Sequence, residues 1–186
     1  LVIYRHSVAQ AMLPGSKVLE TGSEPWCTAQ QSGPYVKPGW DVSPDGEQLV
    51  AQMIMADGPT SGVSNIQVMN LKDASTTGLF TEASSQMLSS DLMLSWGPDS
   101  QTVVATAYHQ LNADGPYSAT LANPSVMQKY TPNLAGQASW RSDGSAFALS
   151  NADATDMAAG NELYVFAEDD TRGRLLLTDA QNFVWG

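Results

Sequence analysis

Val42-Ser43-Pro44-Asp45-Gly46, Trp96-Gly97-Pro98-Asp99-Ser100 and Trp140-Arg141-Ser142-Asp143-Gly144 are three versions of one phrase. Each closes one apolar run and opens another, so each reads as a hairpin turn between two strands. The copies begin 54 and 44 residues apart (96 − 42 and 140 − 96), and Trp185-Gly186 follows 45 residues after Trp140 (185 − 140). A return at that period marks an internal repeat, which decides the architecture before any single element does. The composition has physical reasons. Pro sets φ near −65° for the early position of a tight turn, and Asp braces the turn by accepting a backbone N–H two residues on. Gly supplies the positive φ that such a hairpin needs at its last position. Ser100 departs from that rule and is expected to strain its turn by roughly 1 kcal/mol.

Working outward from the phrase, the same order of short strands recurs. In the first unit the strands are expected over 48–55, 65–71 and 77–81, with 91–96 leading into the second phrase. The second unit gives 102–108, 117–122 and 126–131, and the third gives 146–150, 162–167 and 174–178. Ahead of the first phrase, 1–5 and 17–20 read as strands and 21–39 as a long loop rich in Gly, Pro, Ser and Gln. Only 84–94 offers room for a turn of helix. Each unit is therefore four short strands in about 44 residues, the content of one propeller blade. A blade cannot bury both faces alone, and stacking blades around an axis does so. The large residue before each turn (Val42, Trp96, Trp140, Trp185) is suited to filling the space between neighbours.

The Trp-Ser-Pro-Asp-Gly phrase followed by a strand resembles the signature of TolB-type, WD-repeat-like β-propeller blades. The resemblance covers about 39–186, with departures at Val42, at Gly97 and Ser100, and at Arg141-Ser142. It implies an all-β fold: propeller blades of four antiparallel strands, part of a larger ring. The expected layout is a single propeller region, 1–186, with a partial blade over 1–39, blades over about 40–93, 94–137 and 138–182, and the start of another at 183–186. Three units do not close a ring, so remaining blades or another chain are expected to complete it. Relatives of this kind include envelope proteins that organise partners, sensor domains and propellers attached to serine peptidases. The fold alone does not choose among them.

Composition narrows the function classes. Eight Lys and Arg against nineteen Asp and Glu give a net charge of −11. Such a chain cannot supply the cationic patch that nucleic acid or an anionic bilayer demands, so neither partner is expected. No run approaches the ~18 apolar residues of a membrane-spanning helix. Cys27 is the single cysteine and reads as a small apolar residue, with only His6 and His109 as candidate bases for a thiol. No Gly-x-Ser-x-Gly elbow is present, and catalysis is not expected. Asn151, Asp153, Thr155 and Glu162 fall at positions one, three, five and twelve of a calcium-type loop. Asp156 stands where that loop needs Gly, and no helices flank it, so no metal or cofactor is expected. Starting without Met on Leu1-Val2-Ile3-Tyr4, the chain reads as an excerpt of a longer polypeptide.

The expected function is a non-catalytic binding or scaffolding domain in a cell-envelope or secreted, extracytoplasmic setting. Two alternatives stand beside it: an accessory propeller gating a hydrolase elsewhere in the parent chain, and a sensor domain of a membrane-anchored kinase. Strands alternate in direction, so the turns after strands one and three share one rim and the other connections share the opposite rim. The surplus chain falls on that second rim, in 56–64, 109–116, 151–160 and the connections from strand four. Loops on a rigid scaffold are where recognition sits. Trp26 and Tyr35 in the longest loop, with Tyr108 near in register, are the expected rim for a protein or glycan partner. The competing reading is that these aromatics pin the loop to the blades.

Overall fold

The computed structural model describes residues 35–56, 62–81, 83, 91–107, 115–151, 162–167 and 170–178. These residues form twelve strands, and no helix occurs among them. The first sheet comprises β1 (Tyr35–Val42), β2 (Gln48–Ala56), β3 (Gly62–Asn70) and β4 (Thr76–Leu79). The second comprises β5 (Leu92–Trp96), β6 (Thr102–Ala107), β7 (Tyr117–Thr120) and β8 (Asn123–Lys129). The third comprises β9 (Ser139–Trp140), β10 (Ala146–Asn151), β11 (Glu162–Ala167) and β12 (Arg174–Leu177). Each sheet keeps its strands in chain order and pairs them antiparallel. Three meanders in succession are the all-β blade architecture expected from the repeat.

The phrase sits at one place in all three sheets. Val42 pairs with Leu49, Trp96 with Val103 and Trp140 with Phe147, each anchor opposite the residue seven positions on. Trp185 lies outside the described residues. Most strand boundaries lie within two residues of the sequence reading, and three differ by more. β3 begins at Gly62 rather than 65, inside the stretch 56–64 expected to be a loop. Tyr35 to Gly39, assigned above to the long loop, opens β1, with an irregular register between Val36 and Trp40. The Lys37-Pro38-Gly39 run that reads as loop is a bulge inside a strand. β8 begins at Asn123 rather than 126, because a last strand leaves one edge free and tolerates Pro124 there.

The core lies between sheets. Val50, Ile66, Val68, Leu79 and Phe80 of the first meet Leu92, Leu94, Trp96, Val103, Ala105 and Ala119 of the second in one buried cluster. Strand pairing puts neighbours on opposite faces, so Val104 turns the other way, into a second cluster with Tyr130, Leu134, Ala138, Phe147, Leu149 and Phe166. This one is aromatic: Phe147 stacks on Phe166 at 4.9 Å, and Tyr130 meets both edge-on at 5.1 and 5.5 Å. The far face of the first sheet carries a third cluster, Ala51 and Met69 with Trp40, Leu49, Leu71 and Ala74 packed on them.

A candidate recognition rim and the joints that hold it

The tight rim is built from the phrase itself. Asp45 accepts from the Ser43 hydroxyl at 2.6 Å and from Glu47 N at 3.0 Å. Asp99 accepts from Gln101 N, Thr102 N and the Thr102 hydroxyl at 3.0, 2.9 and 2.7 Å. Asp143 accepts from Ser145 N and its hydroxyl at 3.0 and 2.6 Å. For Asp45 and Asp143 the serine hydroxyl bonds are the main reason the carboxyls sit below the ordinary aspartate value. Burial works to raise Asp99, and the donors from Gln101 and Thr102 together outweigh it, leaving that carboxyl lowered too. These acids are occupied in bracing turns, the role expected of an aspartate at this turn position.

The last turn position takes φ of 73° at Gly46, 54° at Ser100 and 76° at Gly144. Ser100 thus adopts the left-handed conformation expected of it. Its hydroxyl accepts from Asp45 N at 3.2 Å, so the side chain that costs strain also ties the second turn to the first. The turns after strands three fold onto the same rim: Leu71 N donates to Glu47 O at 2.8 Å and Leu121 N to Gln101 O at 2.9 Å.

The first two sheets are fastened near their first strands by a buried and a half-buried polar group that sequence reasoning missed. Gln52 is fully buried in β2, and its Oε1 accepts from Leu92 N at 3.0 Å. Asp41 Oδ2 accepts from Trp96 N at 2.9 Å, Oδ1 from Val42 N at 2.9 Å, and the Asp41 carbonyl from Trp96 Nε1 at 3.2 Å. Burial pushes the Asp41 carboxyl above its ordinary value, and the Trp96 and Val42 N–H groups pull it partly back. Gly39 passes so near β5 that a Cβ there would stand 1.5 Å from Leu92 O. The available signal was a polar residue interrupting an apolar run, as Gln52 does in Gln48-Leu49-Val50-Ala51-Gln52-Met53-Ile54.

Of the residues expected on the opposite rim, Trp26 and Tyr108 lie outside the described residues, as do Cys27, His6 and His109. Tyr35 opens β1 at the end away from the tight turn, opposite Ile54, and its side chain is outside the described set. Within the calcium-type segment only the ends are described: Asn151 pairs with Glu162 across β10 and β11, and Glu162 Oε2 accepts from the Tyr164 hydroxyl at 2.9 Å. Among the described residues no group of three or more His, Cys, Asp or Glu is arranged to hold a metal ion.

Comparison with solved structures defines the class. TolB from Acinetobacter baumannii superposes with a TM-score of 0.54 at 15 % identity, over 77 % of this chain and 33 % of that one. The β-propeller domain of the Trilobed protease from Pyrococcus furiosus, described as having an open velcro topology, gives 0.52 at 13 % identity, over 77 % and 41 %. A prolyl endopeptidase gives 0.53 at 14 % identity, over 75 % and 21 %. No protein-family model matches the chain, and no curated protein matches its sequence. The fold is that of TolB-like β-propeller blades, and the chain spans about a fifth to two fifths of the length of these three structures.

Proposed function

We propose that this chain is a non-catalytic binding or scaffolding part of a larger β-propeller, working in the cell envelope or as a secreted protein. The observation that carries the reading is the inequality of the two rims. The phrase turns are short and braced by Asp45, Asp99 and Asp143, and the first two are fastened to each other. The connections between second and third strands, and those from one sheet to the next, leave from the opposite ends of the strands, and the sequence carries its surplus length there, with Trp26, Tyr35 and Tyr108 as the residues that face a protein or glycan in this reading. The layout is that given above with the first boundary moved to Tyr35, and the ring is closed by further blades or by another chain. No cofactor, nucleic acid or bilayer insertion enters this reading. A second reading is favoured by the likeness to propellers of the Trilobed protease and a prolyl endopeptidase: an accessory propeller gating a hydrolase domain. The sensor form has no such support. Replacing Trp26 and Tyr35 with Ala tests the rim. Loss of capture of envelope proteins or glycans at an unchanged melting temperature supports it. A lowered melting temperature with capture intact assigns these aromatics to packing instead.

A further inference from the structure

β12 differs from the other last strands. β4 is Thr-Thr-Gly-Leu with its leucine buried, and β8 carries Pro124 and ends on Lys129. These are the features that keep an edge strand from pairing with another chain. β12 is Arg-Leu-Leu-Leu, and Leu175, Leu176 and Leu177 are 45 %, 49 % and 53 % exposed. The normal alternation fails here because Tyr164 pairs with Leu175 and Leu163 with Leu177, which leaves Leu176 in a bulge. β12 is bonded to β11 alone, so its other edge carries unpaired backbone groups among the described residues. Just ahead of it the chain is pinned to the second sheet, with Gly173 N donating to Thr131 O at 2.6 Å and Thr131 N to Thr171 O at 2.8 Å. The strand is thus a held edge rather than a loose end.

Its charge singles it out as well. In a chain of net charge −11, two exposed arginines, Arg172 and Arg174, stand just ahead of the leucines. Lys72 is paired with Glu47, Arg141 with Asp143, and Lys129 lies over the Tyr117 ring. Arg172 and Arg174 have no side-chain partner among the described residues. The Asp170 carboxylate beside them accepts from Arg172 N.

We infer that the free edge of β12 is a docking strip for an extended segment of a partner protein in which apolar residues alternate with Asp or Glu. The segment adds a short antiparallel or parallel strand to the third sheet. Its backbone bonds the free edge, its apolar side chains cover the leucines, and its carboxylates meet Arg172 and Arg174. The strip lies on the last strand, at the outside of the meander, so it is separate from the loop rim and stands or falls independently of Trp26, Tyr35 and Tyr108.

The test uses the full chain and a fluorescent acetyl-Glu-Val-Glu-Val-Glu-Val-amide peptide, with its Lys-for-Glu counterpart as the control. The acidic peptide is expected to bind at least about tenfold tighter than the basic one. The pair Arg172→Glu and Arg174→Glu should weaken it at least about tenfold, as should Leu176→Asp, with melting temperatures unchanged because these side chains are exposed. Methylating alternate amides of the peptide should abolish binding, since the edge reads backbone. Equal binding of the two peptides, no effect of the variants, or full binding by the methylated peptide overturns the proposal. Wild-type dimerisation by sedimentation that Leu176→Asp abolishes also overturns it, and assigns the strip to a second copy of this chain.

Discussion

The two joints between sheets occupy the same place in the repeat and are made of different chemistry. Between the first and second sheets, an aliphatic cluster is stitched by Asp41 to the Trp96 backbone and indole, and by Gln52 to Leu92 N. Between the second and third, Tyr130 meets the Phe147–Phe166 stack edge-on, the Thr106 hydroxyl donates to Gly136 O, and Ser118 shares a hydrogen bond with Tyr130 at 3.0 Å. The residue before the anchor is Asp41 in one unit and Ser95 in the next. Ser95 Oγ and Trp140 Nε1 are both buried with no hydrogen-bond partner among the described residues. Serine puts a hydroxyl where Asp41 has a carboxylate, and that hydroxyl is left unpartnered; the Trp96 indole is met by the Asp41 carbonyl, whereas the Trp140 indole meets no acceptor among the described residues. The repeat preserves the position of the joint, and the residue placed there sets whether its polar groups are satisfied.

The largest test of this contrast is Gly39→Ala. A Cβ 1.5 Å from a backbone oxygen has no side chain to push aside, so β1 and β5 must separate. The expected cost is about 3 kcal/mol or more, visible as loss of a cooperative melt, because overpacking against backbone cannot relax by a rotamer change. An unchanged melting temperature would mean that the first joint is not so close.

A smaller effect compares the polar residues directly. Asp41→Ala strands the buried Trp96 N–H and should cost about 1–3 kcal/mol in denaturant melts. Ser95→Ala removes an orphaned hydroxyl and should be neutral or stabilising by up to about 1 kcal/mol. Equal losses at both positions would erase the distinction between the joints.

The smallest effect separates joint from turn by pH. The turn carboxyls are lowered in the folded chain, so their stabilisation is present above the unfolded aspartate value and is lost as pH falls through the folded ones. Asp45→Asn, Asp99→Asn and Asp143→Asn together should flatten that acid limb while keeping the turns. Asp41 is raised, which gives the opposite sign. The stability gap between wild type and Asp41→Ala should be widest below the ordinary aspartate value, and narrow as pH rises through the raised one. A gap that widens with pH would show that the N–H donors outweigh burial there.

Three features of the turns and strands are readable from residues alone because their causes are local. Pro44-Asp45-Gly46 and its copies specify a turn within a few residues, and the apolar run 162–167 reads as one short strand. Even Ser100 announced its positive φ by standing where Gly belongs. Local composition misled at 35–39, where Pro38 and Gly39 read as loop and form a bulge. The expected rim of Trp26, Tyr35 and Tyr108 followed from loop lengths, which say on which side chain accumulates but not which side chains meet.

By itself the sequence determined the repeat, the strand order and the turn chemistry, since each depends on steric and hydrogen-bonding preferences spanning only a handful of residues. The joints were decided by tertiary structure. Whether Asp41 meets Trp96, 55 residues on, depends on the distance and facing of two sheets. The same holds for Gln52 and Leu92, and for the Ser95 hydroxyl, which has no hydrogen-bond partner among the described residues. A buried polar group is satisfied only when a partner arrives from another sheet at about 3 Å, and no local preference encodes that arrival.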